Sequence, residues 1–178
     1  MSIAGTVRYF LSRQKIDYHV LIHPRVGTPL QTALSANIEP QQLAYAVLLK
    51  DKNKHLIAIL PSSNTLDIKN LNKQLNRHFI PATLSEERRI FNDCTLGMVP
   101  ALGEAYGIDA IVDCALDDLP AVYLPSGNNS TLVCVNNENF QRLQVNAIHG
   151  ISVSRSSYPF SDTQSPETAD HHSHLHAS

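Results

Sequence analysis

A loop rich in glycine and proline is the clearest stretch of this sequence that could do chemistry. Gly97, Pro100 and Gly103 stand at regular spacing in the run GMVPALG. Glycine lets the backbone come close to a ligand, and proline stiffens the loop against collapse. The spacing therefore predicts one wall of a binding pocket, although ordinary tight loops between a helix and a strand also carry this pattern.

Other catalytic constellations are weak or absent in the sequence. It contains no Ser-His-Asp pattern, no glycine-rich phosphate loop and no dinucleotide fingerprint. Cys94 precedes the loop, but no histidine or lysine stands beside it to activate the thiol, so we do not expect a nucleophile there. The run HHSHLH, residues 171–176, lies in a segment that we expect to be disordered, and metal binding there would be adventitious. We therefore predict no metal site and no cofactor.

Length and composition fit one domain followed by a tail. The 178 residues include 43% hydrophobic residues, which is enough to form a core. Large aliphatic residues almost vanish after Ser152, where Ser, Thr, Asp and His predominate. Such a segment cannot bury enough apolar surface to offset the entropy lost on ordering it. We predict a domain over residues 1–151 and a disordered tail over residues 152–178.

Charge and cysteine usage restrict the partners and the compartment. Lys and Arg number 14 and Asp and Glu 16, and three of these acids lie in the tail, so the domain itself is close to neutral. A protein that grips a long nucleic-acid backbone is strongly basic, so we do not expect DNA binding, whereas contact with one end of an RNA is compatible with this charge. The three cysteines form no CxxC pair, and the sequence shows neither a transmembrane run nor a secretory signal. We therefore expect a cytoplasmic protein.

Apolar periodicity predicts an α/β (α+β) domain in which helices surround a mixed β-sheet. Two almost continuous apolar runs, residues 44–49 and 56–60, flank a polar tetrad at residues 51–54 and predict a hairpin in the centre of that sheet. Further strands are predicted at residues 17–22, 109–113, 121–124 and 131–135. Helices are predicted over residues 2–15 and from Thr28–Pro29, Asp67, Ser85 and Asn137 onwards.

Taken in order, these segments resemble the YbaK/prolyl-tRNA-synthetase-associated domain family of aminoacyl-tRNA deacylases. The resemblance runs from about Ser2 to Gly150 and is carried by the hairpin ending in AILP, by LDIKNLN, by LGMVPALGEAYGI and by IVD. It implies a barrel-like mixed sheet surrounded by helices, with a pocket that holds the 3′-terminal adenosine of a tRNA and its esterified amino acid. The implied partner is the acceptor end of an aminoacyl-tRNA, and the implied activity is hydrolysis, in trans, of a mischarged ester.

The resemblance also implies a set of substrate-binding residues. The amino-acid side of the pocket would be formed by Gly97, Met98, Val99, Pro100, Ala101, Leu102 and Gly103. Asp113 matches the family's aspartate at the end of a strand, and a turn residue or a helix cap is the alternative. His23 stands where relatives often carry a polar residue, and a surface histidine is the alternative.

Tyr45 is a departure from the family pattern. Family editors carry a lysine early in the first strand of the central hairpin, and in this sequence Tyr45 takes that position, while Lys50 lies five residues further on. Because an odd offset sends a strand side chain to the opposite face, Lys50 cannot replace the lysine. Tyr45 is therefore the candidate catalytic residue of an active editor. The alternative is a catalytically impaired member that binds an aminoacyl-adenosine-like ligand or a protein partner.

Overall fold

Helices and strands are interspersed along residues 3–156, the part of the chain that the computed structural model describes. Its helices are α1 (Gly5–Arg13), α2 (Pro29–Ser35), α3 (Ile68–Leu75), α4 (Leu84–Ile90) and α5 (Asn137–Leu143). Its strands are β1 (His19–Ile22), β2 (Ala44–Lys50), β3 (His55–Pro61), β4 (Asn64–Leu66), β5 (Ile80–Pro81), β6 (Asp109–Asp113), β7 (Ala121–Pro125), β8 (Thr131–Asn136), β9 (Ile148–Ile151) and β10 (Ser154–Ser156). None of the described helices is long and apolar enough to cross a membrane.

The described strands form one five-stranded sheet and two smaller sheets. The large sheet has the order β5-β2-β3-β6-β9, antiparallel from β5 to β3 and parallel from β3 to β9. A second sheet pairs β1, β8 and β7 antiparallel, and β10 pairs with β4. A bridge between Leu43 and Tyr123 connects the two larger sheets. The predicted mixed α/β class is confirmed, but the described strands do not close into a barrel, because β5 and β9 remain edges.

The hairpin of β2 and β3 lies in the centre of the large sheet, as its apolar runs predict. Its register pairs Ala44 with Pro61 at the open end and Lys50 with His55 beside the turn. The carboxylate of Asp51 accepts two backbone N–H groups within the turn, each at 2.9 Å. Residues 56–60 are at most 1% exposed, so the almost continuous apolar run reflects burial on both faces of the strand.

Capping residues set most helix starts where the sequence predicts them. The side chain of Thr28 accepts the N–H of Gln31 at the start of α2, and Asp67 accepts the N–H of Asn70 at the start of α3. The prediction for α4 is wrong, because Thr83 and not Ser85 is its N-cap. Thr83 and Glu86 form a reciprocal capping box, which satisfies two backbone donors at once, whereas Ser85 lies inside the helix.

The ordered chain continues past the boundary predicted at residue 151. Val153 is fully buried, and residues 154–156 form β10 against β4. The N–H of Val153 and the hydroxyl of Ser154 both donate to Asp113 Oδ2, at 2.9 and 2.8 Å. Residues 152–156 therefore belong to the folded domain, while the remainder of the predicted tail, including His171–His176, lies outside the described residues.

We expect truncation at the predicted boundary to destabilise the protein, and truncation five residues later to spare it. Deleting residues 152–178 removes the buried Val153 and leaves the Asp113 carboxylate without two of its donors. The combined loss should lower the free energy of unfolding by about 3 kcal/mol or more. Deleting only residues 157–178 is the control, measured by urea denaturation. Equal stability of the two truncated proteins would contradict a structural role for this segment.

Candidate functional site

A pocket of about 150 Å³ lies where β1, β2, the glycine-proline loop and the turn between β7 and β8 meet. It brings together five of the sequence-predicted site residues: His23, Tyr45, Gly97, Met98 and Val99. The other lining residues are Val26, Gly27, Thr28, Pro29, Thr32, Leu43, Ala44, Ala46, Pro125, Asn128, Asn129 and Leu132. No Asp, Glu, Lys or Arg occurs among the described lining residues, so the pocket is mainly apolar with a few polar groups.

Backbone hydrogen bonds hold the glycine-proline loop against the turn between β7 and β8. The N–H of Thr95 donates to the carbonyl of Gly127 at 2.8 Å, and the N–H of Met98 donates to the carbonyl of Thr95 at 2.9 Å. The N–H of Gly97 donates to Glu87 Oε1 at 2.9 Å, which ties the loop to α4. Two walls of the pocket are therefore joined directly to each other.

The first and last glycines of the motif serve different purposes. Gly97 has a φ of +88°, in the left-handed region that favours glycine, and a Cβ built on it would meet no atom within 4 Å. At Gly103, a Cβ would lie 2.5 Å from the carbonyl oxygen of Ile108, so no side chain fits there. Gly97 thus shapes the open wall of the pocket, whereas Gly103 lets the loop pack against the chain that leads into β6.

The second half of the predicted loop lies outside the pocket. Pro100, Ala101 and Leu102 are buried, and none of them lines the pocket; the same is true of Gly103. The carbonyl of Ala101 accepts a hydrogen bond from Gln144 Nε2 at 2.7 Å. This half of the loop packs into the interior of the domain, next to the half that lines the pocket.

His23 is a pocket residue and not a surface histidine. It follows β1, its N–H donates to the carbonyl of Ser130 at 2.9 Å, and its side chain is only 6% exposed. Its Nδ1 lies 2.8 Å from the carbonyl oxygen of Pro24. Because a carbonyl oxygen only accepts hydrogen bonds, Nδ1 carries the hydrogen in this contact. Its other ring nitrogen, Nε2, is on the far side of the imidazole.

Tyr45 lines the pocket from β2, but its hydroxyl is engaged elsewhere. The hydroxyl donates to the carbonyl of Asn64 at 2.9 Å, next to the start of β4. Burial raises the pKa of the phenol above its ordinary value, so Tyr45 stays uncharged. The side chain therefore presents its ring to the pocket and cannot supply the charge that a lysine would bring.

Asp113 is placed outside the pocket. It is 1% exposed, and while its Oδ2 accepts from Val153 and Ser154, its Oδ1 accepts the N–H of Ala115 at 2.9 Å. That last bond caps the short 3₁₀ turn at Cys114–Leu116. Between a substrate-binding role and a helix cap, the hydrogen bonds of Asp113 fit the cap. Asp113 also binds the segment at residues 153–154.

Cys94 belongs to a hydrogen-bonded cluster beside the loop. Its Sγ lies 3.3 Å from the hydroxyl of Tyr106, which in turn donates to Asp93 Oδ1 at 2.9 Å. Burial raises the pKa of the Cys94 thiol to about 11, so the thiol stays protonated and is a poor nucleophile. Among the described residues, no group of three or more His, Cys, Asp or Glu side chains could hold a metal ion.

Comparison with protein families decides between a chance resemblance and common descent. The sequence profile of the aminoacyl-tRNA editing domain matches residues 23–143, which is more than half of the chain. The chain belongs to the aminoacyl-tRNA editing domain family. The match begins at His23 and includes Tyr45 and the glycine-proline loop, so this editing domain carries its pocket within the matched region. Comparison with curated proteins found no match.

Solved structures with the same fold are distant in sequence. A candidate trans-editing enzyme for prolyl tRNA synthetase is 17% identical, with a TM-score of 0.69, over 87% of this chain and 100% of that chain. A candidate signal transduction protein from Marinobacter aquaeolei VT8 is 24% identical, with a TM-score of 0.68, and the match covers 86% of the editing domain chain but only 31% of that longer chain. A scaffold protein used for epitope backbone grafting is 16% identical, with a TM-score of 0.73, over 85% of this chain and 96% of that chain. At these identities the likeness shows the fold alone.

Several polar residues of the pocket are not predicted from the sequence. Thr28 and Thr32 come from the first turns of α2, and Asn128 and Asn129 from the turn between β7 and β8. The run PSGNNS predicts a turn, and Thr28 predicts a helix cap, but neither signal tells which distant strand the segment will face. The bridge between Leu43 and Tyr123, together with the packing of the two larger sheets, brings the turn between β7 and β8 close to β2.

We expect Tyr45→Phe to cost stability while leaving the shape of the pocket intact. The change removes the donor to the Asn64 carbonyl, which is partly buried, and should lower the free energy of unfolding by about 0.5–1.5 kcal/mol. Tyr9→Phe is the matched control, because Tyr9 is 66% exposed. Chemical denaturation compares the two variants. If both variants unfold at the midpoint of the unmodified protein, the hydroxyl bond contributes nothing to the fold.

Proposed function

We propose that this editing domain hydrolyses the ester of a mischarged aminoacyl-tRNA, acting in trans in the cytoplasm. The observation that carries the proposal is the convergence of His23, Tyr45 and the Gly97–Val99 loop on one pocket. These segments are far apart in the sequence, and each is one for which family membership implies contact with the substrate. The similarity to a solved structure described as a candidate trans-editing enzyme for prolyl tRNA synthetase supports the same proposed activity.

The size of the pocket suits the aminoacyl end of the substrate. Its volume of about 150 Å³ is below the roughly 300–1,000 Å³ of pockets that enclose a drug-sized ligand. A small amino acid with its ester group would fill it, while the adenosine and the rest of the acceptor end would remain at the mouth. The mainly apolar walls favour a short, uncharged side chain on that amino acid.

Among the three loop residues that line the pocket, one has a backbone amide that is available to polarise the ester. The N–H groups of Gly97 and Met98 are taken by Glu87 and Thr95, and Pro100 has none. The N–H of Val99 has no hydrogen-bond partner among the described residues, and Val99 lines the pocket. We assign to this amide the stabilisation of the negative charge that develops on the carbonyl oxygen. A rigid loop is suited to that task, because its donors need no reorientation during the reaction.

A deacylation panel tests the proposal. Purified protein is incubated with tRNAs that have been mischarged with alanine, serine, cysteine or proline, and the loss of ester is followed against the spontaneous rate. Turnover on one of these substrates establishes an editor and identifies the amino acid that it removes. No turnover on any of them would overturn the proposed activity.

We expect Thr32→Trp to abolish turnover by filling the pocket. Thr32 lines the pocket from α2, and an indole would occupy much of its about 150 Å³. Leu34→Trp is the control on the same helix, because Leu34 is 65% exposed and does not line the pocket. Initial rates and thermal melting are measured for both variants. A folded Thr32→Trp protein that keeps its full rate would place the reaction somewhere else.

A catalytically impaired member of the family is the second candidate. The observation that favours it is the contact between Tyr45 and Asn64, since a hydroxyl that donates to a backbone carbonyl is not free to bind the terminal nucleotide. Loss of a charge-assisted hydrogen bond costs about 1.5–3 kcal/mol, or roughly one to two decades in rate. Such a protein would bind an aminoacyl-adenosine-like ligand or a protein partner without turning over an ester quickly.

We expect Tyr45→Lys to raise the deacylation rate by about 10-fold or more, because it introduces a positive charge into a pocket whose described lining has no Lys or Arg. Tyr45→Met, which has similar reach but no charge, is the control. Turnover that appears only in the lysine variant would favour the impaired member. A fall in rate with lysine would contradict the prediction and would mean that the phenol has become part of the chemistry.

A further inference from the structure

The pocket is lined by one imidazole that has a ring nitrogen without a hydrogen-bond partner among the described residues. His23 Nε2 makes no hydrogen bond within residues 3–156. No side-chain nitrogen or oxygen of the described residues is both sealed from solvent and unpaired. Nε2 is therefore accessible to solvent, and the residue that carries it is only 6% exposed and lines the pocket.

The contact with Pro24 determines what Nε2 can do. Since Nδ1 carries the hydrogen that it donates to the Pro24 carbonyl, the neutral imidazole has its lone pair on Nε2. The same contact fixes the orientation of the ring, and the bond from the backbone N–H to Ser130 fixes the main chain. A nitrogen base that is held by a hydrogen bond on its opposite side is the arrangement found where a base activates a nucleophile.

The other titratable group of the described lining cannot take this role. Tyr45 donates its hydroxyl to Asn64, and burial keeps its phenol protonated. Cys94 does not line the pocket, and its thiol is also held in the protonated form by burial. His23 therefore supplies the lone pair in the pocket that is best suited to accept a proton.

We propose that His23 is the general base of the hydrolysis, a role that rests on the proposed function. Its Nε2 accepts a proton from a water molecule as the water oxygen bonds to the ester carbonyl carbon. The tetrahedral intermediate then collapses by breaking the bond from that carbon to the ribose oxygen, and Nε2 returns the proton to this leaving oxygen. Water is consumed, and the free amino acid and the ribose hydroxyl are released, with the imidazole unchanged.

The test uses two substitutions at His23 in the full chain. His23→Gln places an amide near the position of Nε2, so it can keep a hydrogen bond to water but cannot take up a proton. We expect its kcat to fall by about 10²–10⁴-fold with little change in KM. His23→Ala should lose activity to a similar extent and regain part of it when free imidazole is added. His19→Gln, an exposed position on β1, is the control that should keep the normal rate and should not respond to imidazole.

The outcomes separate this role from the proposed function. If the wild-type protein hydrolyses an ester and His23→Gln has the same kcat, the role of His23 as general base is overturned. The editing activity itself would still be established. A slow but well-folded His23→Ala protein that imidazole does not rescue would overturn it as well, because a group that only shapes the pocket is not replaced by a soluble base. Absence of wild-type turnover on the whole panel would overturn the proposed function, and the role of His23 with it. Thermal melting of each variant shows whether a loss of activity reflects unfolding.

Discussion

The strand β3 needs cover on both of its faces, and the positions of most other elements follow from that requirement. Leu56 and Ala58 face a cluster completed by α3 and by Val153, while Ile57 and Ile59 face a larger cluster that includes α1, α5 and the second sheet. Exposing either face would return several aliphatic side chains to water, at about 1.5–3 kcal/mol each. The second sheet is held over one face for this reason, and its turns consequently lie beside the start of β2, where the pocket forms.

Local signals in the sequence predict the elements, because each such signal acts within a few residues. The apolar runs of the hairpin, the caps of α2 and α3 and the family resemblance belong to this class. The cap of α4 is missed because Thr83 and Ser85 are both good capping residues, and only the reciprocal bond with Glu86 selects the first. The pairing of β10 with β4 cannot be predicted in the same way, since the apolar content of β10 is low and the hydroxyl of Ser154 is satisfied by a carboxylate on a distant strand.

The candidate site shows a sharper limit of sequence reasoning. His23, Tyr45 and the glycine-proline loop can be proposed as site residues from the resemblance, yet their chemical roles depend on single backbone carbonyls. The carbonyl of Pro24 determines which nitrogen of His23 keeps a lone pair, and the carbonyl of Asn64 determines that the Tyr45 hydroxyl turns away from a ligand. The sequence identifies the side chain, but the neighbouring backbone carbonyls determine which atom of that side chain is left free to contact a ligand.

The hydrogen bond between Asp113 and the N–H of Val153 spans 40 residues of sequence. During synthesis the chain emerges from the ribosome N-terminus first, so β6 and its carboxylate are available well before their partner. Until residues 153 and 154 have emerged, the Asp113 carboxylate lacks two of the hydrogen-bond donors that offset the cost of its burial. The domain can therefore complete its folding only after residues 153 and 154 have been synthesised, because both supply hydrogen-bond donors to a carboxylate that is already buried in the sheet.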